Sequence, residues 1–340
     1  MSTAIDRLPV TKREKGEIKK WITDSRRKRI EILITGRTGV GKSTLVNSLV
    51  GRPVAEAGNM RAVTKVVTDY QVTTEEGVEV VVWDSPGLQD SSGNEEEYLA
   101  ELKAKCSDVD VVIFCIKLAT TRSELKVAQK ELRAINKLTT TFGPKLWKHA
   151  IFVLTFANTL EAMLKVKPDC ERLFNDKLQE WEGRIQGALI EAGVPKKIAE
   201  KVPVQPAGHP RKPHLPGREY WLSKLWLVFL KCAKQHSKPG ITLLNLHRLK
   251  RASDVNEKDF SKKGYEQPIV VDKNDMALAG LVSGIGVALN GVAIGAGIGA
   301  TVGAAGAGVG AVVGLVVGGG VGLAAGLLLH HWQTREKHSR

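Results

Sequence analysis

One short loop constrains this chain more than any other feature. Ile32 to Thr35, all apolar or β-branched, run into Gly36-Arg37-Thr38-Gly39-Val40-Gly41-Lys42-Ser43, and a helix-like TLVNSLV begins at Thr44. The order reads strand, loop, helix. The spacing GxxxxGKS turns the backbone N–H groups of Gly39 to Lys42 inward onto an anion, because residues without a Cβ let the chain wrap that closely. Lys42 is expected to reach β- and γ-phosphate oxygens and the Ser43 hydroxyl to hold Mg²⁺. The positive end of the following helix aims at the same anion. The phosphate cradle is thus expected at Gly36, Arg37, Thr38, Gly39, Val40, Gly41, Lys42, Ser43 and Thr44. A plain glycine turn between strand and helix is the simpler alternative, and the rest of the chain decides against it.

Further along, short apolar runs alternate with amphipathic stretches: residues 78–84 (VEVVVWD), 110–117 (DVVIFCIK), 149–155 (HAIFVLT) and 202–206 (VPVQP), separated by helical segments such as SELKVAQKELRAINKL. That alternation predicts βαβ units, hence an α/β fold with a mostly parallel sheet and helices on both faces. The first of those runs ends in Asp84-Ser85-Pro86-Gly87, 41 residues after Ser43. A carboxylate there reaches the water shell of Mg²⁺, and the Gly87 N–H reaches a γ-phosphate. Between the two boxes, Thr64 is the candidate for a switch threonine that binds both Mg²⁺ and γ-phosphate, so the expected metal set is Ser43, Thr64 and Asp84. Thr68 is its rival, and a strand-lining role suits either residue equally well.

Composition narrows the class. With 340 residues and 43% hydrophobic content the chain supports a substantial core. Its four cysteines (Cys106, Cys115, Cys170, Cys232) show no CxxC pair, which fits reduced thiols filling a core. The N-terminal residues lack an apolar h-region, and residue 2 is Ser where a myristoyl anchor needs Gly. The formal net charge of +14 raises the question of nucleic acid. The basic residues cluster before the first strand, as in Arg26-Arg27-Lys28-Arg29, and after residue 230. No aromatic platform interleaves with them, so nucleic acid is not expected and an anionic lipid surface is the preferred partner.

The far end points to a membrane. Residues 276–329 contain no Asp, Glu, Lys, Arg or His, an uncharged run of 54 residues that holds 17 of the 34 glycines. About 20 apolar residues suffice for one crossing, so the run is long enough for two. Gly291, Gly295, Gly299 and Gly303 recur every fourth residue, as do Gly306, Gly310, Gly314, Gly318, Gly322 and Gly326. Each series lies along one helical face, the small-xxx-small surface through which membrane helices pack closely. A helical hairpin is expected, with both ends on the cytosolic side by its basic flanks (Lys273, Arg335, Lys337). A Gly/Ala-rich linker and a soluble oligomerisation zipper are the alternatives, and the Val, Ile and Leu content weighs against the linker.

The residues GRTGVGKSTLVNSL, WDSPGLQD, CIKLATTRSEL and VLTFAN together resemble the septin-related branch of the P-loop GTPases, the AIG-type immunity-associated GTPases and the import receptors of the chloroplast outer envelope. The likeness spans residues 28–235. It implies a domain that binds GTP or GDP with Mg²⁺, hydrolyses GTP to GDP and forms a homodimer or oligomer across its nucleotide face, often with a C-terminal hydrophobic anchor. Two departures stand out. The base box, N/T-K-x-D in a typical member, reads Thr155-Phe156-Ala157-Asn158 here, and Asn offers one acceptor where Asp offers two. A backbone N–H from Ala207 in QPAGHP is a candidate replacement contact, with a proline-rich turn as the alternative. After Gly87 stands Leu88 where many GTPases carry a water-orienting Gln, which implies slow hydrolysis or a group supplied from outside. Arg122 occupies the place from which the family presents a basic residue across the dimer, and Arg37 is a second candidate. The expected catalytic set is Lys42, Thr64, Gly87 and Arg122; Thr155, Asn158 and Ala207 complete the expected nucleotide contacts.

The expected organisation is a basic N-terminal helix (1–29), a GTPase domain (30–236), a basic juxtamembrane linker (237–275), a membrane hairpin (276–330) and a basic tail (331–340). Two functions compete: a membrane-anchored GTPase with its nucleotide domain in the cytoplasm, and a nucleotide-gated scaffold that binds GTP, barely hydrolyses it and oligomerises through its tail. An ATPase that reuses the same loop is a third reading.

Overall fold

The computed structural model describes residues 29–37, 39–54, 68–73, 77–84, 95–106, 108–118, 122–165, 167–245, 248–250, 255–261 and 264–270. The N-terminal helix, the membrane hairpin and the basic tail expected from the sequence lie outside them. Among the described residues no helix is long and apolar enough to cross a membrane.

Six strands form the central sheet: β1 (Arg29–Thr35), β2 (Thr68–Thr73), β3 (Glu79–Asp84), β4 (Val111–Lys117), β5 (Ala150–Thr155) and β6 (Val204–Pro206). Their order is β2-β3-β1-β4-β5-β6, with β2 antiparallel to β3 and every other pair parallel. The α/β architecture read from the sequence is the one observed. β4 and β5 are buried almost end to end, which is why they read as continuous apolar runs with no polar alternation. β6 is only three residues long because Pro203 and Pro206 bring no N–H to the ladder.

The helices pack in two groups. α1 (Lys42–Val50) touches α7 (Trp221–Cys232) and α8 (Lys238–Asn245). α3 (Arg122–Phe142) touches α2 (Glu95–Lys105) and α5 (Cys170–Glu191), and α5 also meets α4 (Ala157–Leu164) and the short α6 (Lys196–Ala199). Chain order reverses at β1, so its crossovers run to both sides of the sheet, and the strand ends there open a crevice for ligands. The registers align those ends, with Ile34 beside Asp84, Thr35 beside Phe114, and Lys117 beside Thr155. Phe114, Phe152 and Trp147 stack inside the core, with centroids 4.8 Å apart for the first two.

The packed body continues past residue 236. α8 lies against α1 and α7, and the two-residue strands β7 (Leu249–Lys250) and β8 (Ile269–Val270) pair in parallel, with β8 against α7. Arg248, only 3% exposed, donates to the carbonyl oxygens of Ser48 at 2.8 Å and Gln267 at 2.8 Å. The segment expected to be a basic juxtamembrane linker thus packs, in its described part, on the far end of the phosphate-loop helix.

Cys106 and Cys115 are buried, and all four cysteines are free thiols. Burial pushes the Cys232 thiol up to about 12, and burial together with Glu31 raises that of Cys106. These two are core fillers and poor nucleophiles.

Candidate functional site: a phosphate loop beside a constrained aromatic ring

The loop between β1 and α1 is closed by glycine geometry. At Gly36, with φ +130°, a Cβ would stand 2.2 Å from the Cys115 carbonyl oxygen of β4, so no other residue fits without moving backbone. Gly41 caps α1 at φ 84°, a left-handed conformation that opens the helix directly at Lys42. The first helical bond runs from Leu45 N–H to Gly41 O, so the N–H groups ahead of it face the loop at the positive end of α1.

Lys42 is turned inward and 9% exposed. Its Nζ donates to the carbonyl oxygens of Gly36 at 2.9 Å and Arg37 at 3.2 Å, and lies 3.6 Å from Asp84 Oδ1. That last contact is an ion pair too long for a hydrogen bond, and Asp84 Oδ1 is buried with no hydrogen-bond partner. Burial raises the Asp84 carboxyl above its ordinary range, and Lys42 pulls only partly against it. An under-bonded carboxylate oxygen beside an ammonium suits a hard divalent cation together with phosphate, and Ser43 follows Lys42 directly in the chain. Asp84 and Ser43 would hold Mg²⁺; the loop N–H groups and Lys42 would hold the phosphates.

The base box is less open than the sequence suggests. Thr155 is buried and its hydroxyl donates to Ile116 O at 3.3 Å, tying β5 to β4. The Ala207 N–H, expected to reach a base, is committed to the β5–β6 ladder and donates to Leu154 O at 2.9 Å. Asn158 Oδ1 accepts the His209 N–H at 3.1 Å, so the one acceptor this Asn offers already serves the loop after β6. Phe156 between them was not singled out by its residue type. It is the one described non-glycine residue with positive φ (57°), and it is 40% exposed. An aromatic residue held there costs about 1–3 kcal/mol. The available sequence signal was an aromatic residue standing where a strand must turn sharply into a helix.

Other expected residues fall as follows. Arg122 is the first residue of α3, and Thr68 opens β2 opposite Asp84. Val40 is buried, and Gly39, Arg37 and Thr44 are exposed. Thr38, Thr64, Gly87 and Leu88 lie outside the described residues. Among the described residues no group of His, Cys, Asp and Glu is arranged to hold a metal without phosphate.

The same stretch is the part of the chain that known proteins share. A family model described as the AIG1 family matches residues 30–186. The chain is 27% identical over 228 residues to the Translocase of chloroplast 34 homolog of Chlamydomonas reinhardtii, covering 63% of this chain and 56% of that protein. It is 31% identical over 136 residues to Immune-associated nucleotide-binding protein 3 of Arabidopsis thaliana, covering 38% of this chain and 39% of that one. The chain thus spans about half or less of the length of these relatives. Among solved structures it is similar to Toc33 from Arabidopsis thaliana in complex with GDP and Mg²⁺, at 20% identity and TM-score 0.47, covering 66% of this chain and 93% of that one. Over residues 30–186, less than half of its length, this chain is similar to the AIG1 family.

Proposed function

We propose that this protein binds Mg·GTP at the loop 36–44, hydrolyses it slowly to GDP and phosphate, and is held at a membrane by residues 276–330. The observation that carries the reading is the inward Lys42 ammonium, 3.6 Å from a buried and under-bonded Asp84 oxygen at the mouth of a glycine-closed loop. In this reading the N–H groups of Gly39 to Ser43 bind the β-phosphate, and Lys42 exchanges its loop carbonyls for β- and γ-oxygens. Ser43, Thr64 and Asp84 would hold Mg²⁺, which would supply charge neutralisation to the phosphates. Water attacks the γ-phosphorus while the bond to the β–γ bridging oxygen breaks, and that oxygen leaves with GDP. The Gly87 N–H reports the γ-phosphate, and Arg122 from a second copy stabilises the charge that develops in the transition state.

The scaffold reading keeps one observation in its favour, Leu88 at the water-orienting position. Two measurements on the full chain separate the readings. Under the GTPase reading Arg122→Ala lowers GTP turnover by about 10³-fold or more with GTP binding intact; equal turnover in the variant removes Arg122 from the mechanism. Carbonate extraction tests the tail: retention in the membrane fraction is expected, and release into the supernatant contradicts a spanning hairpin.

A further inference from the structure

Phe156 stands apart from the other large aromatic side chains. Phe114, Phe152, Phe174, Phe229 and four tryptophans are fully buried, whereas Phe156 is 40% exposed at the C-terminal edge of the sheet. Burial therefore does little to explain why a bulky residue occupies a left-handed position (φ 57°, ψ 28°) that Gly or Asn would adopt with less strain. Strain of this kind persists where the surroundings or a ligand use it.

The surroundings indicate the use. A Cβ on Gly41 would come within 3.9 Å of Phe156 Cε2, so the ring stands at the flank of the phosphate loop. Lys117 Nζ, at the end of β4, lies 5.7 Å from the ring centroid and orients it by a cation–π contact. The polar groups expected to read a base are already bonded within the protein: the Thr155 hydroxyl to Ile116, the Ala207 N–H to Leu154, and Asn158 Oδ1 to His209. Beside these engaged groups, this end of the crevice presents an exposed aromatic face.

We propose that Phe156 is the base platform of the site, holding the base of a bound nucleoside triphosphate by stacking on its ring, with the base edge contributing less than an aspartate at position 158 would provide. The proposal rests on the loop reading above and adds the residue that determines base affinity. Every base has a π face, so this arrangement tolerates different bases.

The test uses the full-length protein with Mg²⁺. Calorimetric titrations with GTP, and with tripolyphosphate as a base-free probe, compare wild type with Phe156→Gly and Phe156→Trp, alongside thermal unfolding of the nucleotide-free proteins. Phe156→Gly is expected to weaken GTP binding about 5- to 100-fold, while Phe156→Trp stays within about threefold of wild type. Tripolyphosphate affinity is expected to be equal in all three proteins, and the Gly variant to melt no lower than wild type because it relieves the left-handed strain. A folded Gly variant that binds GTP as tightly as wild type overturns the platform and leaves the loop reading intact. A wild type that binds neither GTP nor tripolyphosphate overturns both.

Discussion

At the scale of single residues the site is built from groups placed against their own local preference. Gly36 has no substitute, since a methyl group would meet the Cys115 carbonyl at 2.2 Å and would also sit at φ +130°. Gly36→Ala is expected to destabilise the fold by about 3 kcal/mol or more in urea unfolding, the range of strain at a special backbone position. Asp84 carries a burial cost whose sign is testable. Burial raises its folded pKa above the ordinary carboxylate range, so the folded state binds the proton more tightly than the unfolded state does. The cost of the ionised carboxylate is present above the folded pKa and disappears as pH falls through it. Nucleotide-free Asp84→Asn should accordingly be the more stable protein at neutral pH, with the advantage shrinking on acidification through the carboxylate range. The same variant should lose about 10- to 100-fold in Mg²⁺-dependent nucleotide affinity. A variant less stable than wild type at neutral pH, with its Mg²⁺ response intact, would contradict the assignment. Asn158→Asp tests the base edge. A second carboxylate oxygen remains for guanine N1–H and N2–H₂ after His209 N–H is satisfied, so preference for GTP over xanthosine triphosphate should rise about tenfold in competition binding.

At the scale of elements, α1 links two ends of the molecule. Its first turn faces the phosphate loop, and its last turn is clamped by the segment after α7. Arg248 donates to Ser48 O, Asn245 Nδ2 donates to Leu49 O at 3.0 Å, and the Arg248 guanidinium places its charge at the negative end of the helix. Arg248→Met strands three buried acceptors, the carbonyls of Ser48 and Gln267 and the side-chain oxygen of Asn245. Each unsatisfied group costs about 1–3 kcal/mol, so a loss of about 3 kcal/mol in denaturant unfolding is expected even if part of the cluster relaxes. A change within about 0.5 kcal/mol would mean that the Arg248 contacts contribute little to holding residues 238–270 on α1. Elements with a local cause were the legible ones. VVVWD, VVIFCIK and AIFVLT read as strands because both sheet faces bury them, and GxxxxGKS marked its own loop because each glycine has a local backbone reason. The docking of Arg248 and the engagement of Ala207, Asn158 and Thr155 depend on contacts between residues distant in sequence, and no spacing rule along the chain announces them.

For the whole molecule, the account joins a described nucleotide domain to an uncharged, glycine-phased C-terminal run through a segment that packs on the phosphate-loop helix. In the proposed reading, residues 276–330 would hold copies at a membrane, which would favour the dimer that supplies Arg122. The proposed chemistry is that Lys42 and Asp84 form a Mg·GTP site that turns over. The most direct measurement is single-turnover conversion of GTP to GDP by the full chain with and without Mg²⁺, wild type beside Lys42→Ala. Slow hydrolysis, on the order of 10⁻³ s⁻¹, is expected to require Mg²⁺ and to be lost in the variant together with GTP binding. Turnover equal in wild type and Lys42→Ala would contradict it, and tight Mg·GTP binding with no turnover in the wild type would leave the scaffold as the surviving function.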